Sequence, residues 1–327
     1  MRLMAVQSVK FVLSKLLNKP AKLNRRISGL YANGVYIMNY EIRPLTQGFG
    51  AEIFGLDLSL GFSDNLAQDL VGAWVDARGL MVIHDQTLSS EQHIALSRHF
   101  GPLFGDPNES PLQDTVSRYI HPDHPEIYRV SNQVSTDGKP KGRKGAGTYW
   151  HSDVSFRDRP AQASLLHAKT IPPVGGDTIF ADQAAAYEAL SDGMKAILDP
   201  LYAWHDFEVA ARTQYAKPVI VENDMDGANR ARHPLVRTKP ENKSKSLFVN
   251  PGFTSHIDGL DAAESQAILD FLYQHSIQPQ FLYRHRWNEG DLLIWDNRSL
   301  MHFAVMDYPD DEPRYMERCT VIGETPA

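Results

Sequence analysis

The sequence predicts an α+β protein: many short strands forming a β-sandwich or barrel, with helices packed outside. Three observations carry this. Short apolar runs separated by turn signals recur along the chain, the pattern of a sandwich or barrel. Helical patterns are few. Strand and helix do not alternate regularly, which disfavours a doubly wound parallel sheet. The 327-residue length allows one large domain or two small ones with a sizeable core. With 42% hydrophobic and 22% charged residues the composition is that of an ordinary globule, which excludes disordered, collagen-like and coiled-coil classes.

In chain order, residues 1–40 carry Arg2, Lys10, Lys15, Lys19, Lys22, Arg25 and Arg26 and no acidic residue. Removing those seven leaves 26 basic against 40 acidic residues, so a net −7 conceals a remainder of −14. Val6, Val9, Phe11, Val12, Leu16 and Leu17 recur at helical spacing among the lysines. Residues 1–37 are therefore expected to be a basic extension, disordered or upstream of the native start. The alternatives are an organelle-targeting peptide and an accessory helix. No uncharged apolar run approaches the roughly 18–20 residues of a membrane span.

From Met38 the composition turns normal and one domain, 38–327, is expected. Gly79–His84 reads as a buried strand. Ser89-Ser-Glu-Gln92 has the form of a capping box opening a helix toward Gly101. Residues 104–148 are rich in Pro and Gly and read as a long variable loop bordering a site, with a short strand over 126–130. Further strands are expected over 163–168, 178–181, 247–250, 281–287, 291–295 and 315–322, and helices over 182–190, 193–198 and 262–275.

The single cysteine, Cys319, excludes a disulfide framework and a multi-thiolate metal site, and it suits a reducing, cytoplasmic setting. A mildly acidic chain is a poor candidate for nucleic-acid binding, which usually needs a clustered basic surface.

The chemistry lies in Thr148-Tyr-Trp-His151-Ser-Asp153. On extended chain, positions i and i+2 face one side, so His151 and Asp153 can share an ion. The best-placed third ligand is His302, in Trp295-Asp-Asn-Arg-Ser-Leu-Met-His302. Two imidazoles and a carboxylate suit non-haem Fe(II), and they also suit catalytic zinc with water in the fourth position. Arg314 and Arg318 follow at the spacing of one strand face, roughly 13 Å apart, with Met316 between them. An inward arginine needs an anion, and a dicarboxylate cosubstrate gripped by two parallel hydrogen bonds supplies one. The competing reading is an exposed edge strand.

Trp150-His-Ser-Asp153, Gly175-Gly-Asp-Thr178, Trp295-Asp-Asn-Arg298, His302 and Arg314, in this order and spacing, resemble the TauD/TfdA family of Fe(II)/2-oxoglutarate-dependent dioxygenases. The likeness runs from about Met38 to Pro326. It implies a distorted double-stranded β-helix (the jelly roll of cupin-like proteins) with flanking helices. It implies His151, Asp153 and His302 as iron ligands, and Arg314 and Thr178 on the distal carboxylate of 2-oxoglutarate. Arg318 would meet an anionic substrate such as a sulfonate, alkyl sulfate or phenoxyalkanoate. O2 is then the oxidant, the substrate is hydroxylated, and succinate and CO2 leave. The resemblance also implies a homodimer or homotetramer.

Two positions depart from the family's taurine enzymes. Gly147 stands where they have Asn, and Asp106 where they have His, which argues against taurine itself. Asn132 is a further candidate substrate contact, and Tyr149, Trp150 and Phe156 are candidate pocket walls. Lys139-Pro-Lys-Gly-Arg143-Lys144 reads as a solvated loop or as a lure for anions. His84, His167, His205 and His233 have no ligand-like spacing, and Cys319 falls on the core face. A zinc hydrolase on the same ligands and a non-catalytic metal-binding jelly roll are the rival readings.

Overall fold

The computed structural model describes residues 25–30, 37–106, 119–213 and 229–327. Its frame is an eight-stranded sheet, ordered Arg25–Leu30, Ile37–Pro44, Ala51–Phe54, Leu80–Ile83, Leu292–Asp296, Ala161–Thr170, Tyr315–Ile322 and Ile127–Ser131. All pairings are antiparallel except Ala51–Phe54 with Leu80–Ile83. A second sheet of Leu282–His285, Thr178–Asp182 and Leu300–Ala304 faces it. The strands Thr254–Ile257, Tyr202–Asp206 and Arg230–Pro234 form a third sheet. Among the described residues no helix is long and apolar enough to cross a membrane.

The central strands are covered on both faces, which explains why they read as unbroken apolar runs. Leu80, Val82, Leu166, Leu293, Trp295 and Met316 point at the second sheet and pack with Phe180, Trp287 and Leu300. Their neighbours Met81, Ile83, Leu165, Ile294, Cys319 and Val321 point the other way, into a core closed by two helices. Each fully buried Leu, Ile or Phe there stabilises by roughly 1.5–3 kcal/mol. Cys319 is a member of that core, and burial pushes its thiol up to about 12.

One covering helix, Ser90–Arg98, starts at the expected capping box: Ser89 Oγ accepts from Gln92 N, and Gln92 Oε1 accepts from Ser89 N. The sequence pattern assigns no helix to Asp64–Asp76, yet one forms there. Ser63 caps it, and Leu66, Ala67, Leu70 and Trp74 make its buried stripe. The expected helix over 182–190 is shorter, Gln183–Glu188, because the Asp182 carboxylate caps it by accepting from the Ala184 and Ala185 amides. The strand expected over 247–250 lies earlier, at Lys245–Leu247.

The large sheet begins inside the basic segment. Arg25–Leu30 pairs antiparallel with Ile37–Pro44, from Arg25 opposite Ile42 to Leu30 opposite Ile37. The amphipathic stretch from Val6 to Leu17 lies outside the described residues.

Candidate active site

The second sheet carries the first two site residues. His302 sits within Leu300–Ala304, and His151 forms an isolated bridge with it. The two exchange backbone hydrogen bonds, His151 N to His302 O at 3.1 Å and His302 N to His151 O at 2.8 Å. Their rings stand 4.1 Å apart. Asp153 opens the turn that follows the bridge, in which Val154 has φ 56, and its carboxylate lies beside both rings. His151 Nε2 lies 3.7 Å from Asp153 Oδ1, and His302 Nε2 lies 3.9 Å from Asp153 Oδ2. All three residues are buried, and one ligand atom from each lies within 4.8 Å of the others.

The protonation pattern fits a metal. His151 Nδ1 donates to the Tyr149 carbonyl at 2.8 Å, which leaves Nε2 as the nitrogen facing Asp153 and a metal. Burial, with His151 alongside, holds His302 neutral, its pKa well below the ordinary imidazole value. Burial alone would raise the Asp153 carboxyl. The Arg318 guanidinium, 2.7 Å from Oδ1, and the two histidines outweigh it and keep the group ionised. Two imidazoles and one carboxylate form the donor set of a facial metal triad.

These residues open into a cavity of about 190 Å3 whose lining includes Thr178, Arg314 and Arg318 together with the triad. Arg318 projects from Tyr315–Ile322, the strand beside the edge strand Ile127–Ser131, and Arg314 immediately precedes that strand; both line the cavity, while Cys319 and Val321 fill the opposite face. Arg314 is 5% exposed. Its Nη2 donates to the Gly176 carbonyl at 3.2 Å, its Nε has no acceptor, and among the described residues no carboxylate forms an ion pair with it. Burial lowers its pKa. Gly176, at φ 74, lets the guanidinium approach, since a Cβ there would lie 3.2 Å from Arg314 Nε. Thr178 Oγ1 accepts from Trp287 Nε1 at 3.0 Å.

Other candidates divide. Tyr149 and Phe156 line the cavity, joined by Phe207 and Phe253, which no sequence signal marks. Trp150 is not among the lining residues and packs on Phe303. Asn132 is not among them either. Its side chain accepts from Arg314 N and donates to the carbonyls of Asp310 and Glu312, so it fixes the turn that delivers Arg314. Asp106 pairs with Arg98 at 3.2 Å. Gly147 borders the cavity, and at its φ of 74 an added Cβ would lie 2.7 Å from His151 Cε1, so a larger side chain there would press on the His151 ring. In the basic loop, Lys139 and Lys144 pair with Asp137 and Asp310, while Arg143 lines the cavity. His84, His167, His205 and His233 all lie away from the cavity lining and bond to other groups.

The sequence profile described as "Taurine catabolism dioxygenase TauD, TfdA family" matches residues 41–320. The chain is 35% identical over 294 residues to the alpha-ketoglutarate-dependent 2,4-dichlorophenoxyacetate dioxygenase of Cupriavidus pinatubonensis, covering 88% of this chain and 99% of that protein. It is 29% identical over 301 residues to an alpha-ketoglutarate-dependent sulfate ester dioxygenase of Pseudomonas putida, covering 90% of this chain and 93% of the other. Among solved structures, AAD-2 in complex with Mn(II) and N-oxalylglycine superposes with a TM-score of 0.71 at 32% identity, covering 88% of this chain and 99% of that one.

Proposed function

Since the chain belongs to the TauD/TfdA family of alpha-ketoglutarate-dependent dioxygenases, we propose that this oxidoreductase uses Fe(II), 2-oxoglutarate and O2 to hydroxylate a small anionic organic molecule, releasing succinate and CO2. The match over residues 41–320 supports one catalytic domain from near Met38 onward. The observation that carries the cosubstrate is Arg314, a buried guanidinium without a carboxylate, lining the same cavity as the His151, Asp153 and His302 triad. An uncompensated buried charge is strongly destabilising, and a dicarboxylate would supply its missing partner.

His151 Nε2, His302 Nε2 and one Asp153 oxygen would hold Fe(II), which when bound supplies the activation of O2. Arg314 grips the distal carboxylate of 2-oxoglutarate, and the Thr178 hydroxyl donates to the same group. Trp287 N–H already occupies the Thr178 oxygen as acceptor, which leaves the hydroxyl proton for the cosubstrate. Arg318 meets the anionic group of the substrate, and the aromatic side chains of Tyr149, Phe156, Phe207 and Phe253 hold its apolar body and exclude water. Sulfonates, alkyl sulfates and phenoxyalkanoates share this plan of one anion on an apolar stem. The names of the two relatives, a phenoxyacetate and a sulfate ester enzyme, support that range.

The test is succinate release from 2-oxoglutarate with Fe(II) and ascorbate across a panel of such anions. The wild-type chain should show substrate-stimulated release, His151→Ala none, and Arg314→Ala a large loss. Release that no anion stimulates, or turnover supported by zinc alone, would overturn the proposal.

A further inference from the structure

The carboxylate of Asp153 is steered from behind by a buried hydrogen-bond chain whose direction can be deduced atom by atom. Asn297 is 1% exposed and Ser164 0% exposed. Asn297 Oδ1 accepts from two groups that can only donate, Trp295 Nε1 at 3.0 Å and the Asp153 backbone N–H at 3.0 Å. Those two donors fix which end of the amide is oxygen. The other end is therefore Nδ2, and it donates to Ser164 Oγ at 3.0 Å. With its oxygen accepting, the Ser164 hydroxyl sends its own proton to Asp153 Oδ2, 2.7 Å away.

The fold supplies the geometry. Ser164 and Trp295 are register partners on adjacent strands of the large sheet, and their side chains share the face turned toward the triad. Asn297 follows two residues after Trp295, where the chain leaves the strand.

We propose that Asn297 and Ser164 are positioning residues that form a one-way relay. It fixes the rotation of the Asp153 carboxylate and supplies a donor to its Oδ2. The inference rests on the metal-site reading above. Two consequences distinguish it from mere packing. The relay acts through one hydroxyl proton, so Ser164→Ala should weaken the metal although it removes a single atom. The two residues share one contact, while Asn297 also holds the Asp153 amide directly, so their combined effect on the metal should be smaller than the sum of the two single losses.

Binding of Co(II) to the full chain, without 2-oxoglutarate, is measured by calorimetry, and its visible spectrum reports the ligand geometry. Removing a supporting partner of a metal ligand typically costs about 10–100-fold in metal affinity. That loss, with a shifted Co(II) spectrum, is expected for Ser164→Ala, while Ser164→Thr, which keeps the hydroxyl, restores both. The double variant Ser164→Ala/Asn297→Ala should lose less affinity than the sum of the Ser164→Ala and Asn297→Ala losses. Thermal melts establish that each variant is folded; should Asn297→Ala not fold, the Ser164 pair decides alone. Affinity and spectrum unchanged in Ser164→Ala, or additive losses in the double variant, would overturn the relay while leaving the metal site standing. Absence of Co(II) binding by the wild-type chain would overturn the metal-site reading and the relay with it.

Discussion

Arg318 and Asp153 are bound to each other: the guanidinium Nη1 donates to Oδ1 across 2.7 Å. The side chain proposed to receive the substrate anion is thus already in contact with a proposed metal ligand, so substrate charge and metal site share one group. Ser164 takes the other oxygen of the same carboxylate, so both of its oxygens are engaged.

Replacing Arg318 with Gln should lower kcat/KM for the anionic substrate by about 10–100-fold, from the roughly 1.5–3 kcal/mol of a hydrogen bond to a charged group. The KM for 2-oxoglutarate should stay near wild type, because Arg314 provides that contact. Steady-state kinetics with each compound varied in turn separate the two. A rise in the 2-oxoglutarate KM as large as the fall in substrate kcat/KM would contradict the assignment.

Arg314 carries a stability cost that its proposed ligand removes. Arg314→Met keeps the length of the side chain and removes the lone buried charge, so ligand-free protein should melt higher, by roughly 2–4 °C per kcal/mol gained. Activity should be lost. 2-Oxoglutarate should raise the melting temperature of the wild type and not of Arg314→Met. Scanning fluorimetry checks this, and a variant that melts lower would show that the guanidinium is satisfied without ligand.

Four histidines outside the cavity predict acid sensitivity. Burial lowers His93 to about 3, His167 to about 4 and His233 to about 4, and it holds His205 well below its ordinary value. In each the folded state favours the neutral ring, so the unfolded chain binds the proton first. Stability is therefore fully present above about pH 6.5 and declines as the pH falls toward 4, on the order of 1 kcal/mol per pH unit for each histidine. Urea denaturation at pH 7, 5.5 and 4.5 should show a falling midpoint, with a smaller fall in His167→Asn. A midpoint independent of pH across that range would contradict the burial argument.

What the sequence disclosed follows from which interactions are local. His151 and Asp153 are two residues apart and Arg314 and Arg318 four, so the spacing marks each pair as neighbours. A turn rather than an extended strand holds Asp153, however, and Arg314 stands just ahead of its strand. The run from Leu80 to Ile83 shows its double burial in composition. The pairing of Arg25–Leu30 with Ile37–Pro44 is hidden, because the basic residues of the segment dominate any reading by charge. Ser164 is a single small residue in an apolar strand, and its role exists only once Asn297 and Asp153 are folded against it. Asn132 shows the reverse: the sequence places it on the strand before the insertion, but it lies one residue past Ile127–Ser131, and the carbonyls of Asp310 and Glu312 hold its amide. Phe207 and Phe253 reach the cavity from segments far from the motifs, a closeness only tertiary folding creates.

The backbone bridge between His151 and His302 has a consequence for the life of the protein. Two ligands from positions nearly half the chain apart are clasped by their own peptide groups, so the entropy of closing that loop is met by folding rather than by the ion. In a zinc finger the ion is the keystone, and chelation unfolds the domain. Here the ion is a tenant. A chelator should strip it from a protein that keeps its shape, and added metal should refill the site in seconds, without a refolding step.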